Sequence, residues 1–267
     1  MAAAGAPSSA SMPTTAILGV SVHATDIGRA TAAILDLAAD TGPHLVFLRD
    51  VASLMLTVDS PSLRALHEKA SLVLPDGWPL ALAGRLDGHG KAVARIPGTD
   101  LVDAVCAAGL EIGLRHFLYG GKPGIAERMA ANLRTRHPGL VIGGACTPPM
   151  RDIDSTYRLN AESLDELKQV RAAEPDIIWV GLSSPKQEFW MAQALPHLGH
   201  GVCIGVGAAF DFQSGARRRA PLWMRKHGLE WLHRLCSEPR RLWRRYLILA
   251  PRFAWRFTAE RLWGRRT

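Results

Sequence analysis

The feature that most constrains this chain is a rhythm. Short runs of apolar residues recur between segments with helical spacing, from about residue 17 to residue 206. The runs at 44–48, 71–74, 115–119, 139–144, 176–182 and 201–206 are mostly Val, Ile, Leu and Phe, and do not alternate with polar residues. A strand that is apolar on both faces must be covered on both. Strands of that kind separated by helices predict a mostly parallel sheet with flanking helices, a Rossmann-like α/β fold. Ile17 to Val22 reads as the first strand, and helices are expected near 26–40, 99–113, 125–137, 161–173 and 187–195.

In such a fold the ligand crevice lies outside the carboxyl ends of the strands. The polar or glycine-rich positions just after the strands are therefore the candidates: Asp50, Asp76 in Pro75-Asp76-Gly77, Gly120 and Gly121 of the loop to Gly124, Gln187 and Asp211. Each signal is weak alone, since an Asp after a strand commonly caps a helix or forms a turn. The Gly120–Gly124 loop has neither GxGxxG spacing nor a P-loop Lys-Ser/Thr, so dinucleotide binding and NTP hydrolysis lack support. No HExxH and no clustered His/Asp set suggests a metal. Cys106, Cys146, Cys203 and Cys236 form no CxxC pair and read as reduced structural residues.

Charge divides the chain differently. Residues 217–267 hold fourteen Arg and one Lys against three Glu, a local +12; the whole chain is +8, which leaves −4 for the rest. Five of the eight Trp lie in the same stretch: Trp223, Trp231, Trp243, Trp255 and Trp263. Arg supplies charge for phosphate, and Trp favours the boundary between water and hydrocarbon, so the segment reads as a surface for anionic lipid headgroups. Pro221, Pro239 and Pro251 are expected to divide it into three short helices. Three parts follow: a disordered leader 1–16, an α/β domain 17–216, and a basic, membrane-associating helical appendage 217–267 outside the rigid body. No run approaches twenty apolar residues, so the expected location is cytoplasmic and peripheral on the inner face of the plasma membrane. A nucleic-acid partner is set aside, because the Trp-rich helical spacing suits a membrane better and no DNA- or RNA-binding motif is present.

Six ordered segments carry a resemblance: LVLPDGWPLALAGRL (72–86), RIPGTDL (95–101), FLYGGKPGIAERMAANL (117–133), WVGLSSPKQEFWM (179–191), GVGAAFDFQSG (205–215) and the run from Arg219 to Leu247. Together they resemble the WecG/TagA/CpsF family of bacterial glycosyltransferases. The resemblance implies an inverting, metal-independent hexosyltransferase with no cofactor. It would move an N-acetylhexosamine or uronic acid sugar from a UDP donor to a polyprenyl-pyrophosphate-linked acceptor, in cell-surface or exopolysaccharide biosynthesis. It assigns Asp76 as the base. This suits a carboxylate fixed in a turn at a strand end, because inverting transfer needs one group to take the acceptor's hydroxyl proton.

The strand-end positions Asp50, Gly120 and Gly121, with Arg95, Asp100, Gln187 and Asp211 in the segments that carry the resemblance, are expected to bind substrate. The basic side chains Arg217, Arg219, Arg225, Arg240, Arg241, Arg244 and Arg245 are expected to meet membrane or pyrophosphate. One departure stands out: where the family commonly has Thr-x-Asn upstream of the Pro-Asp-Gly turn, this chain has Leu48 and Asp50. That exchange leaves the donor sugar open and raises, as the alternative, a catalytically impaired membrane-bound scaffold.

Overall fold

The computed structural model describes residues 12–89 and 93–264. The expected strand at Ile17 to Val22 is instead a hairpin, β1 (Thr14–Ile17) and β2 (Val20–His23), paired antiparallel. Its two-residue turn is Leu18-Gly19, both with positive φ (51° and 73°), the backbone that matches the twist of a tight hairpin. The hairpin also corrects the leader. Met12 is buried and Thr14–Ile17 is a paired strand, so the body begins before residue 17; the remainder of the leader, 1–11, lies outside the described residues.

The chain then runs through α1 (Ile27–Ala38), β3 (Pro43–Arg49), α2 (Val51–Asp59), α3 (Pro61–His67), β4 (Leu72–Pro75), α4 (Trp78–Gly84) and α5 (Gly98–Gly109). It continues with β5 (Arg115–Gly120), α6 (Ile125–Arg136), β6 (Val141–Cys146), α7 (Ala161–Ala172), β7 (Ile177–Gly181), α8 (Lys186–Leu198), β8 (Gly201–Gly205) and α9 (Ala209–Gln213). Strands β3 to β8 form one six-stranded sheet in the order β4-β3-β8-β7-β5-β6, and every pairing is parallel. Alternate residues serve opposite faces. Val46, Leu48, Trp179 and Ile204 join a core with α1, α5 and α6, whereas Leu45, Phe47, Ile178 and Cys203 join one with α3, α7 and α8. This is the two-sided burial that the uninterrupted apolar runs demand.

The basic segment forms α10 (Leu222–Lys226), α11 (Glu230–Ser237), α12 (Pro239–Trp243) and α13 (Ala250–Trp263), with a wider π-type turn at Arg244–Leu249 joining the last two. Pro251 therefore does not divide the run; the wide turn precedes it and the helical path continues to Trp263. Nor does the segment stand off the body. Leu242 and Phe253 are buried, and Phe253 completes a third core with β1, β2, α2 and α4. Arg217, Arg219, Arg245, Arg252, Arg256 and Arg261 all pair with carboxylates of the body. The excess charge of the tail is thus partly answered by the acidic body. No helix among the described residues is long and apolar enough to cross a membrane.

Candidate active site

A crevice of about 280 Å³ opens at the carboxyl ends of β3, β4, β7 and β8. Strand register builds its centre. Arg49 lies opposite Pro75, and the Asp76 amide donates to the Arg49 carbonyl over 2.8 Å, so Asp50 and Asp76 leave neighbouring strands side by side. Their environments then diverge. Asp50 caps α2: its carboxylate accepts from the Ser53 amide at 2.9 Å, and its own amide donates to Ser53 Oγ at 2.9 Å. Its other oxygen accepts from Arg245 of the tail. Burial opposes ionisation of Asp50, but the Arg245 charge and the Ser53 hydrogen bonds outweigh it and hold the carboxyl at about 2.

Asp76 shares none of that satisfaction; among the described residues its carboxylate accepts no hydrogen bond. Burial raises its pKa. The Arg95 charge opposes the rise and the nearby Asp50 charge adds to it, with net effect upward. A carboxylate with a raised proton affinity and free acceptor oxygens can receive a proton from a hydroxyl placed beside it.

Arg95 is held by both parts of the chain. Its Nε donates to the Asp76 carbonyl at 2.8 Å, and its Nη2 to Glu230 of α11 at 2.8 Å. Glu230 also accepts from Arg219 Nε at 3.2 Å, while Arg219 binds Asp100. Glu230, Arg234, Arg241, Leu242 and Arg245 form the tail's wall of the crevice. On the body's side, a buried ion pair, Arg49 to Glu188 at 2.6 Å with Ser184 Oγ on the same oxygen, fixes the start of α8. There Gln187 faces the crevice with its Oε1 buried and unpartnered. Gly205 has no room for more: a Cβ on it would sit 2.7 Å from Gln187 Nε2.

A second cavity of about 230 Å³ adjoins the first and shares with it Asp50, Asp76, Arg95, Glu230, Arg234 and Arg245. Beyond those six its walls carry no charged residue; Trp78 and Pro79 line the body's side, Trp231 and Tyr246 the tail's.

Of the positions singled out from sequence, Leu48, Asp50, Asp76, Arg95, Gln187, Trp231, Arg241 and Arg245 line this double crevice. The others lie elsewhere. Gly120 is needed for packing, since a Cβ on it would meet the Gly181 backbone at 2.8 Å, and Gly121 packs on Ile125 and Phe210. Asp100 is bound by Arg219, and Asp211 by Arg217, which also pairs with Glu238. None of these four body positions lines either cavity. Arg225, Arg240 and Arg244 form no ion pair among the described residues, and Arg244 lies over the Trp243 ring. Sequence reasoning missed Glu230, Arg234, Trp78 and Tyr246, and it read Trp231 as lipid-facing where the structure puts it in a cavity wall. A sequence signal existed for Glu230, a single acid in the amphipathic helix Glu230–Ser237 of an otherwise basic segment, and for Trp78, two residues past Asp76.

The parallel sheet, the crevice at its strand ends and the unsatisfied carboxylate define an α/β enzyme suited to activating a hydroxyl nucleophile. Residues 15–267 match the glycosyl transferase WecG/TagA/CpsF family. The chain belongs to that family and is a glycosyltransferase.

Proposed function

We propose that the protein transfers a hexose-type sugar from a UDP donor to a sugar on a polyprenyl-pyrophosphate carrier, with inversion, in assembly of a cell-surface polymer. The observation that carries this reading is the contrast between neighbouring carboxylates: Asp50 is saturated by Ser53 and Arg245, whereas Asp76 is left free in the crevice with a raised pKa. The acceptor hydroxyl attacks the anomeric carbon as its proton passes to an Asp76 carboxylate oxygen. The bond from that carbon to the phosphate oxygen breaks, and UDP leaves with the electron pair. Arg95, Arg234, Arg241 and Arg245, within the same cavity, are the cations available to the developing charge on UDP.

Leu48 and Asp50 bear on the donor. Leu48 presents methyl groups where a hydroxyl would donate, and Asp50 is occupied as a cap and ion pair. Sugar selection therefore falls to other groups of the crevice, Gln187 and Thr99 among them. The scaffold alternative gains no support from Asp50, because its charge is compensated and the cavity is intact.

Release of UDP from a panel of UDP-sugars, assayed with and without prenyl-pyrophosphate-linked acceptor, tests the reading. Acceptor-dependent UDP release that persists in excess chelator is expected. Release with no sugar appearing on the lipid, for every donor, overturns it.

A further inference from the structure

The two cavities meet at the reacting carboxylate and differ in kind. The first, beyond the junction, is lined by the strand-end backbone at Gly205 and Gly207 and by the polar side chains of Thr99, Ser183 and Gln187. Small polar side chains of that sort, with Arg241 beside them, suit a nucleoside diphosphate and its sugar. The second, beyond the junction, offers aromatic faces. Trp231 and Tyr246 lie with ring centroids 5.7 Å apart at 49°, and Trp78 stands on the facing wall. Gly228, with φ of 71°, brings the turn before α11 close against Trp78: a Cβ there would lie 3.4 Å from the indole. The cavity exists only where the tail sits on α4.

Displacement with inversion requires the attacking oxygen and the departing phosphate on opposite sides of one carbon. Two cavities that share Asp76 and diverge from it provide that arrangement. The C–H faces of a pyranose ring are apolar and pack on aromatic rings, and a cavity walled by aromatic rings beyond its charged junction suits them. Resting on the proposed reaction, we propose that the aromatic cavity at the seam of body and tail receives the sugar end of the acceptor, leaving the strand-end cavity to the donor. Trp231 then becomes an acceptor-binding residue, and the six charged residues of the junction surround the reacting atoms.

Binding to the full chain separates the two cavities. The probes are UDP for the strand-end cavity and a short-chain prenyl-pyrophosphate-linked N-acetylglucosamine for the aromatic one. Trp231→Ala should bind the prenyl-linked sugar about tenfold more weakly and keep UDP affinity within about twofold of the parent chain. Gln187→Ala should do the reverse. Trp231→Phe, which retains a ring against Tyr246, should recover most of the loss, and it guards against a variant that merely fails to fold. A Trp231→Ala protein that loses UDP as strongly as the prenyl-linked sugar, or that loses neither, overturns the assignment. If the parent chain binds both probes with the expected dependence on Trp231 and Gln187 yet transfers no sugar, the proposed reaction fails and the assignment of cavities stands.

Discussion

Arg95 Nη2 reaches Glu230 Oε2 over 2.8 Å, and this contact joins the body to the tail at the edge of the crevice. The same guanidinium holds the Asp76 carbonyl. A body cation and a tail anion are thus paired one residue's backbone away from the Asp76 carboxylate. On the other side of that carboxylate the polarity is reversed, with Asp50 of the body on Arg245 of the tail. Two pairs of opposite sense fix the tail's position, and a tail displaced along the crevice would set like charges against each other.

Removing the charge of Glu230 should therefore loosen the tail. Glu230→Gln takes from both Arg95 and Arg219 the charge of their shared carboxylate, and a hydrogen bond to a charged group contributes about 1.5–3 kcal/mol. Limited trypsin digestion is expected to cut the Arg-rich tail several-fold faster in this variant, while the sheet resists as before. Equal cleavage rates in the two proteins would show that the pair does not hold the tail.

Asp76→Asn should reduce transfer by about 10²–10⁴-fold, the usual contribution of a positioned general base. UDP binding should persist, because the amide keeps the volume. Stability gives an independent sign. A carboxyl whose folded pKa lies above its unfolded value opposes folding as pH rises through that interval, so at neutral pH the Asn variant should be as stable as the parent or more so. The parent's rate should fall on acidification, with a midpoint above the ordinary carboxylate range. A variant retaining more than half the parent turnover would exclude Asp76 as the base.

Asp50 carries the opposite linkage. Its folded pKa, about 2, lies below the unfolded value, so its contribution is present above about pH 4 and lost as pH falls toward 2. Asp50→Asn keeps a good capping residue but gives up the charge facing Arg245. Urea unfolding across that acid interval should show the parent's stability falling more steeply than the variant's. Parallel curves would mean that Arg245 does not stabilise the Asp50 charge.

The sheet, and the crevice with Asp76 in its lining, were legible in the sequence for one reason: an apolar run buried on both faces has few ways to fold, and its end has a fixed place in the molecule. The hairpin at Ile17 to Val22 was not, because a run of six apolar and small residues hides a two-residue turn unless Leu18-Gly19 is weighed as one. Gly120 and Gly121 were misplaced because glycine serves close packing of chain on chain as readily as close approach of chain to ligand; Gly181 and Phe210 decide that, and both are distant in sequence. The tail was read as separate because its arginines sit 119 to 197 residues away from the carboxylates Asp100, Asp50 and Asp59 that bind them. Long-range pairing of charge leaves no local pattern.

The packed tail changes how its membrane role must be tested. Truncation near Gly215 would strip Phe253 from the third core and remove one wall of the crevice, so loss of activity in such a protein would say nothing about membranes. Point changes on the surface avoid that. Trp255 and Trp263 are 68% and 66% exposed, with ring centroids 6.3 Å apart, and neither lines either cavity. Arg240 and Arg244 form no ion pair among the described residues, whereas Arg252 and Arg256 are engaged by Asp59. An arginine already paired offers less charge to a surface, so the unpaired ones should dominate attraction to anionic lipid, at about 1 kcal/mol each near the surface. The double change Arg240→Gln with Arg244→Gln should then weaken co-sedimentation with phosphatidylglycerol vesicles by about tenfold or more at low salt. Trp255→Ser with Trp263→Ser should weaken it at every salt concentration, because burial of an indole in the interface is not screened. Arg252→Gln with Arg256→Gln should instead lower thermal stability and change vesicle binding little. Vesicle binding that responds equally to both arginine pairs, or to neither tryptophan, would remove the tail from the membrane surface.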